Sequence, residues 1–112
     1  MSYAWFSRPQ KGKPQWVEAR FAETKQVRSV GVYWMQDQFD VKFPAEWSLE
    51  VQQGGKWKAF DLYTTDRYET RANQYNVVHS VAPLRCDAIR IKMTSKQDVC
   101  VGILEVKVAF EK

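Results

Sequence analysis

The chain has 112 residues, enough for one domain with its own core, and 45% of them are hydrophobic, which excludes a chain that stays disordered overall. Seventeen basic and thirteen acidic residues leave a net charge of +4. The signs are interleaved with no run of about five like charges, so the balance describes a solvated surface and ranks nucleic acid last among partners. No apolar run approaches the roughly 18 residues of a membrane span. The opening Met1-Ser2-Tyr3-Ala4-Trp5 lacks the basic start and apolar stretch of a signal peptide.

From Gln15 onward the pattern is alternation, the mark of half-buried strands. Over Gln15 to Phe21, Val17, Ala19 and Phe21 share one face, and Glu18 and Arg20 share the other with Trp16. Over Ser29 to Met35, Val30, Val32 and Trp34 oppose Gly31, Tyr33 and Met35. Trp47, Leu49 and Val51 alternate with Ser48 and Glu50; Gly54-Gly55 then supplies a turn into Lys56 to Phe60, a hairpin. The best opening for a short helical turn is around residues 64–72. Tyr75 to Val81 reads as a strand that Pro83 interrupts, and Ala88 to Met93 as the next. The last strand, Val101 to Phe110, is expected to turn Leu104, Val106, Val108 and Phe110 inward and Glu105 and Lys107 outward. About seven strands without a sustained helical period predict an all-β sandwich.

Irregular stretches at residues 5–14, 36–45, 62–74 and 94–99 are where a β scaffold would carry a site. Cys86 and Cys100 read as two buried thiols rather than a disulfide framework or zinc site, and His79 as a satisfied strand histidine. There is no phosphate loop, no His-Glu-x-x-His and no Gly-x-Ser-x-Gly elbow. Asp37 and Asp40 share one loop and fit a catalytic pair, metal ligands, sugar acceptors or a solubilised turn, of which the turn is the plainest reading. The chain is therefore read as non-catalytic. Sugar binding asks for an aromatic face plus amides, carboxylates and cationic donors. Among the loops Trp5, Gln36, Asp37, Phe39, Lys42, Arg71, Asn73 and Lys96 supply such groups. Trp34 and Trp47 fall on strands and read as core, and the same reading extends to Trp16 and Trp57.

Five segments occur in a telling order: "KGKPQWVEARF" at 11–21, "VRSVGVYWMQ" at 27–36, "FPAEWSLEVQQGGKWKAF" at 43–60, "LRCDAIRIKM" at 84–93 and "VGILEVKV" at 101–108. Together they resemble the discoidin, or coagulation factor 5/8 type C, domains of galactose-binding-like fold. They are most similar to the accessory modules of bacterial glycoside hydrolases, in which "GILE" at 102–105 recurs. The resemblance spans residues 5–110. It implies an antiparallel, eight-stranded jelly-roll β-sandwich over residues 1–112, a single domain of a larger extracellular or periplasmic protein, with ligands held by loops at one end. The implied partner is a carbohydrate, a galactoside or plant polysaccharide, with a neighbouring catalytic domain as an intramolecular partner. Eukaryotic relatives bind phospholipid head groups or proteins instead.

The resemblance also implies a structural calcium ion, held by an N-terminal Asp-Gly loop and a Glu on the final strand. Glu105 matches the Glu, and nothing in residues 1–10 matches the loop or the strand before it. Lys42 stands where the family often has an Arg that contacts sugar, and lysine loses the bidentate geometry. Two other functions are weighed beside carbohydrate binding: a structural interaction domain packed on a glycoside hydrolase domain without a ligand site, and a binder of nucleic acid or anionic lipid surfaces.

Overall fold

In the computed structural model the described residues are 2–6, 14–36, 41–96 and 101–111. They form six strands: β1 (Ser2–Phe6), β2 (Pro14–Met35), β3 (Glu46–Gln53), β4 (Lys56–Ala59), β5 (Tyr75–Thr94) and β6 (Gly102–Phe110). The hydrogen-bonded order is β1-β6-β2-β5-β3-β4, and neighbouring strands run antiparallel. The chain is thus an all-β antiparallel sandwich, as expected.

β2 and β5 are long enough to serve both layers. The first half of β2 pairs with the second half of β5 (Trp16 opposite Lys92, Arg20 opposite Ala88), and that half of β5 also pairs with β3. The second half of β2 pairs with the first half of β5 (Ser29 opposite His79, Tyr33 opposite Tyr75) and with β6. One layer is therefore β1-β6-β2-β5 and the other β2-β5-β3-β4. Counting each half of β2 and β5 separately yields eight strand segments.

Between the layers the ribbon turns at two register shifts, one between Arg20 and Lys25 and one between Val27 and Ser29. At the first, β2 carries the extra residues, and Thr24 Oγ1 donates to Asp87 Oδ1 across the gap. At the second, β5 carries them, and Ser80 Oγ donates to the Ala82 carbonyl at 2.6 Å. Pro83 lies in this second bulge, where no ladder hydrogen bond is asked of it. It therefore marks a bend within one strand instead of a break between two.

The inward faces of both layers meet in one cluster. Val30, Val32, Trp34, Val78, Ile103 and Val106 come from one layer, and Ala19, Trp47, Leu49, Val51, Ile89, Ile91 and Met93 from the other. Trp34 and Trp47 meet edge to face across the interior with ring centroids 5.2 Å apart, a geometry that aromatic pairs favour. Both are buried, as their alternation predicts.

Several expectations are corrected. Residues 2–6 form a strand, paired along β6 with Trp5 opposite Ile103, where the sequence reading began the strands at Gln15. Residues 64–72 form no helix: a turn closed by Asp66 N–H on the Tyr63 carbonyl (2.9 Å) leads into irregular chain. Trp16 and Trp57 are no core residues: Trp16 stands 55% exposed, and Trp57 is half-buried against Arg90 on the outer face. Leu104 faces outward at 40% exposure, while Ile103 is fully buried. The cause is a bulge: Tyr33 faces Glu105 and Trp34 faces Ile103, so Leu104 is an extra residue on β6. The bulge sets buried Ile103 and Val106 three apart instead of two. Beyond it Phe110 is 40% exposed and packs edge to face on Phe21 at 5.3 Å.

This bulge is testable by paired truncation. Ile103→Ala is expected to cost about 2–5 kcal/mol, and Leu104→Ala under about 1 kcal/mol, in urea unfolding. Equal losses would refute the register.

Candidate functional site

The topology sends four connections to one end of the sandwich. Met35, at the end of β2, pairs with Gly102, at the start of β6. Tyr33 pairs with Tyr75, the first residue of β5. Thr94, which ends β5, lies between Pro14 and Glu46, the first residues of β2 and β3. The chain between β1 and β2, residues 36–45, the run up to Tyr75 and the chain between β5 and β6 therefore leave from the same end. Gln36, Lys42, Arg71, Asn73 and Lys96 all belong to these connections. Trp5 sits on β1 opposite Ile103. Asp37, Phe39 and Asp40 lie outside the described residues, as does Cys100.

The structure separates the roles of these loop residues. Gln36 and Lys96 are exposed, and Lys42 is half-buried. Arg71 is exposed and ion-paired through Nε to Glu69 Oε2. Asn73 holds a left-handed backbone (φ 59°) in a turn, which asparagine tolerates better than most residues. Asn76, buried at the start of β5, organises that turn. Its Oδ1 accepts the Arg71 N–H at 2.7 Å, and its Nδ2 donates to the Arg71 carbonyl at 3.1 Å. An amide two residues before Val78, on the inward face of β5, was the available signal for this residue, and sequence reasoning passed over it.

A second anchor ties the same connection to the side of β5. Asp66 Oδ2 accepts the backbone N–H of His79 at 2.7 Å and lies 3.0 Å from His79 Nδ1. Burial alone pulls the Asp66 carboxyl up; the His79 backbone N–H and ring outweigh it and hold the group below its ordinary value. Tyr68 reaches inward and packs on Trp47 at 4.8 Å, while Trp47 Nε1 donates to the Glu69 carbonyl at 2.9 Å. The connection is thus pinned along its length and delivers Arg71 and Asn73 to the loop-bearing end.

The outer face of the second layer begins at that end. A groove of about 560 Å³ is lined by Gln15, Trp16, Glu46, Trp47, Ser48, Lys92, Met93 and Thr94. Along this face Arg90 lies between two indoles, 4.9 Å from the Trp16 centroid and 3.9 Å from that of Trp57. Its Nη2 donates to Glu18 at 2.8 Å, and Glu50 lies 3.5 Å from Nη1. Farther along, Arg20 Nη1 donates to Gln52 at 2.6 Å. Both residues flank Ala88 in register, and Ala88 is fully buried although it points outward.

Glu105 is half-buried on β6, opposite Tyr33. Its carboxylate accepts a hydrogen bond from the Tyr75 hydroxyl, which together with partial burial pushes Tyr75 up to about 12. Calcium takes about six to eight oxygen ligands, and among the described residues no three acidic, His or Cys side chains gather to hold a metal. Cys86 is buried, which pushes its thiol up to about 11 and makes it an inert packing group.

The F5/8 type C domain family matches residues 1–106, nearly the whole chain. The chain belongs to this family. No curated protein and no solved structure matches it. F5/8 type C domains are in general non-catalytic modules that bind carbohydrate or other ligands. In this F5/8 type C domain no helix among the described residues is long and apolar enough to cross a membrane.

Two pH measurements follow. The Tyr75 phenol, followed by ultraviolet absorbance, is expected to titrate near 12, and Glu105→Gln to return it toward the ordinary tyrosine value of about 10. An unchanged titration in the variant would remove Glu105 as the cause. Asp66, lowered in the folded state, stabilises the fold above its unfolded value of about 3.9 and loses that contribution as pH falls through its folded value. The melting-temperature gap between the protein and Asp66→Asn should therefore be full at pH 7 and shrink below about pH 4. A gap that does not change with pH contradicts this.

Proposed function

We propose that this F5/8 type C domain is a carbohydrate-binding accessory module whose loops at one end of the sandwich take a galactoside or plant polysaccharide. The observation behind this reading is the convergence of four connections on one end, with Gln36, Lys42, Arg71, Asn73 and Lys96 among them. Trp5, Asp37 and Phe39 complete the proposed set. Amides and cationic donors suit sugar hydroxyls, and the bonds of Asn76 and Asp66 tie down the connection that carries Arg71 and Asn73, which lowers the entropic cost of binding there. In such a module a weak single-site affinity is enough, because tethering raises the local concentration of an attached catalytic domain.

A second reading is a structural domain that packs on a neighbouring glycoside hydrolase domain. It draws on Val77 and Val81, which stand 45% and 54% exposed on β5, and on Arg71, already engaged by Glu69.

Titration calorimetry against galactosides, arabinosides and plant glycans separates the two. Carbohydrate binding should change little between low and physiological salt. Arg71→Ala combined with Lys96→Ala should weaken it about tenfold or more. Silence across the panel would leave the packing reading in its place, and a steep fall with salt would point to a phosphate-bearing surface.

A further inference from the structure

The groove on the outer face of the second layer contains groups that the loop reading leaves unused. Trp16 is 55% exposed at its wall, whereas Trp34 and Trp47 are buried. Its indole is also held in place. Arg90 lies 4.9 Å from the ring and is itself fixed by Glu18 and by the face of Trp57. An aromatic surface ordered before the ligand arrives loses little freedom on binding.

Lys92 and Glu46 bring opposite charges to the walls and Ser48 adds a hydroxyl. Such a lining has donors and acceptors without a net sign, which favours a neutral polyhydroxylated ligand over an anionic one. The volume of about 560 Å³ lies within the range of small-molecule sites.

We propose that this groove is a second glycan-binding site, distinct from the loop tips, in which one sugar ring of a neutral oligosaccharide stacks on Trp16 and its hydroxyls pair with Lys92, Glu46 and Ser48. The ligand class rests on the carbohydrate reading above; the place does not.

The test titrates the protein with neutral galacto-, arabino- and xylo-oligosaccharides, read by calorimetry and by tryptophan emission with acrylamide quenching. Binding is expected to protect Trp16 from the quencher and shift its emission. Trp16→Ala should weaken affinity at this site about tenfold or more. Trp16→Phe, which keeps an aromatic face, should retain most of that affinity, and this retention sets the stacking role apart from a variant that merely unfolds. Arg71→Ala with Lys96→Ala should remove binding at the loop tips and leave the protection of Trp16 from the quencher intact.

If binding survives Trp16→Ala but is lost with the loop variants, the groove proposal falls and the loop reading stands. If Trp16→Ala abolishes binding and the loop variants change nothing, the loop reading falls. Silence toward all the oligosaccharides overturns both.

Discussion

The antiparallel ribbon of β2 and β5 is the constraint on which the rest of the molecule depends. Among the described strands only these two belong to both layers, so their bends set how the two inner faces meet. Each strand takes its extra residues once, on opposite sides of the ribbon. The inward buried positions of β5 are Asn76, Val78 and Cys86 on one side of the change and Ile89, Ile91 and Met93 on the other. The change from even to odd numbers is the bend read as side-chain direction. Since a one-residue slip reverses every side chain of a strand, these bulges are as much a part of the core as the valines.

The same ribbon places the recognition surfaces. Because Tyr75 and Thr94 end β5 at the same side of the molecule, the connections before and after that strand open there together. The outer face of the second layer starts at this rim, so the loop tips and the Trp16 groove adjoin. Chemistry of the surface follows from what lies beneath it. Ala88 is small enough for Arg20 and Gln52 to close over it, and the neighbouring row holds Arg90 between carboxylates and indoles. Exposed ion pairs of this kind contribute little to stability; their effect is to order a polar and aromatic surface.

Alternation made much of the fold legible. Val17, Ala19, Phe21, Val30, Val32, Trp34, Trp47, Leu49 and Val51 lie on the faces their spacing predicts, because a strand repeats every two residues. β1 was not legible, since an edge strand of five residues is defined by its partner β6 rather than by its own pattern. Leu104 was placed inward for a related reason. A bulge is a property of two strands in register, and one strand read alone carries no trace of it. The candidate loops were legible as irregular chain, but Asn73 and Arg71 proved to be tied to their own turn, through backbone conformation and through Glu69.

Trp16 and Trp34 show the boundary most clearly. Both are strand tryptophans in alternating segments, and composition treats them alike. Local spacing alone determined the all-β class, most of the inward faces and the stretches left for loops, because those follow from backbone periodicity within a few residues. Tertiary structure decided which tryptophan fills the core and which stands over a groove, where the ribbon bends, and which polar groups find partners. Those outcomes depend on residues far apart in the chain meeting across strands and layers, and only the folded pairing brings them together.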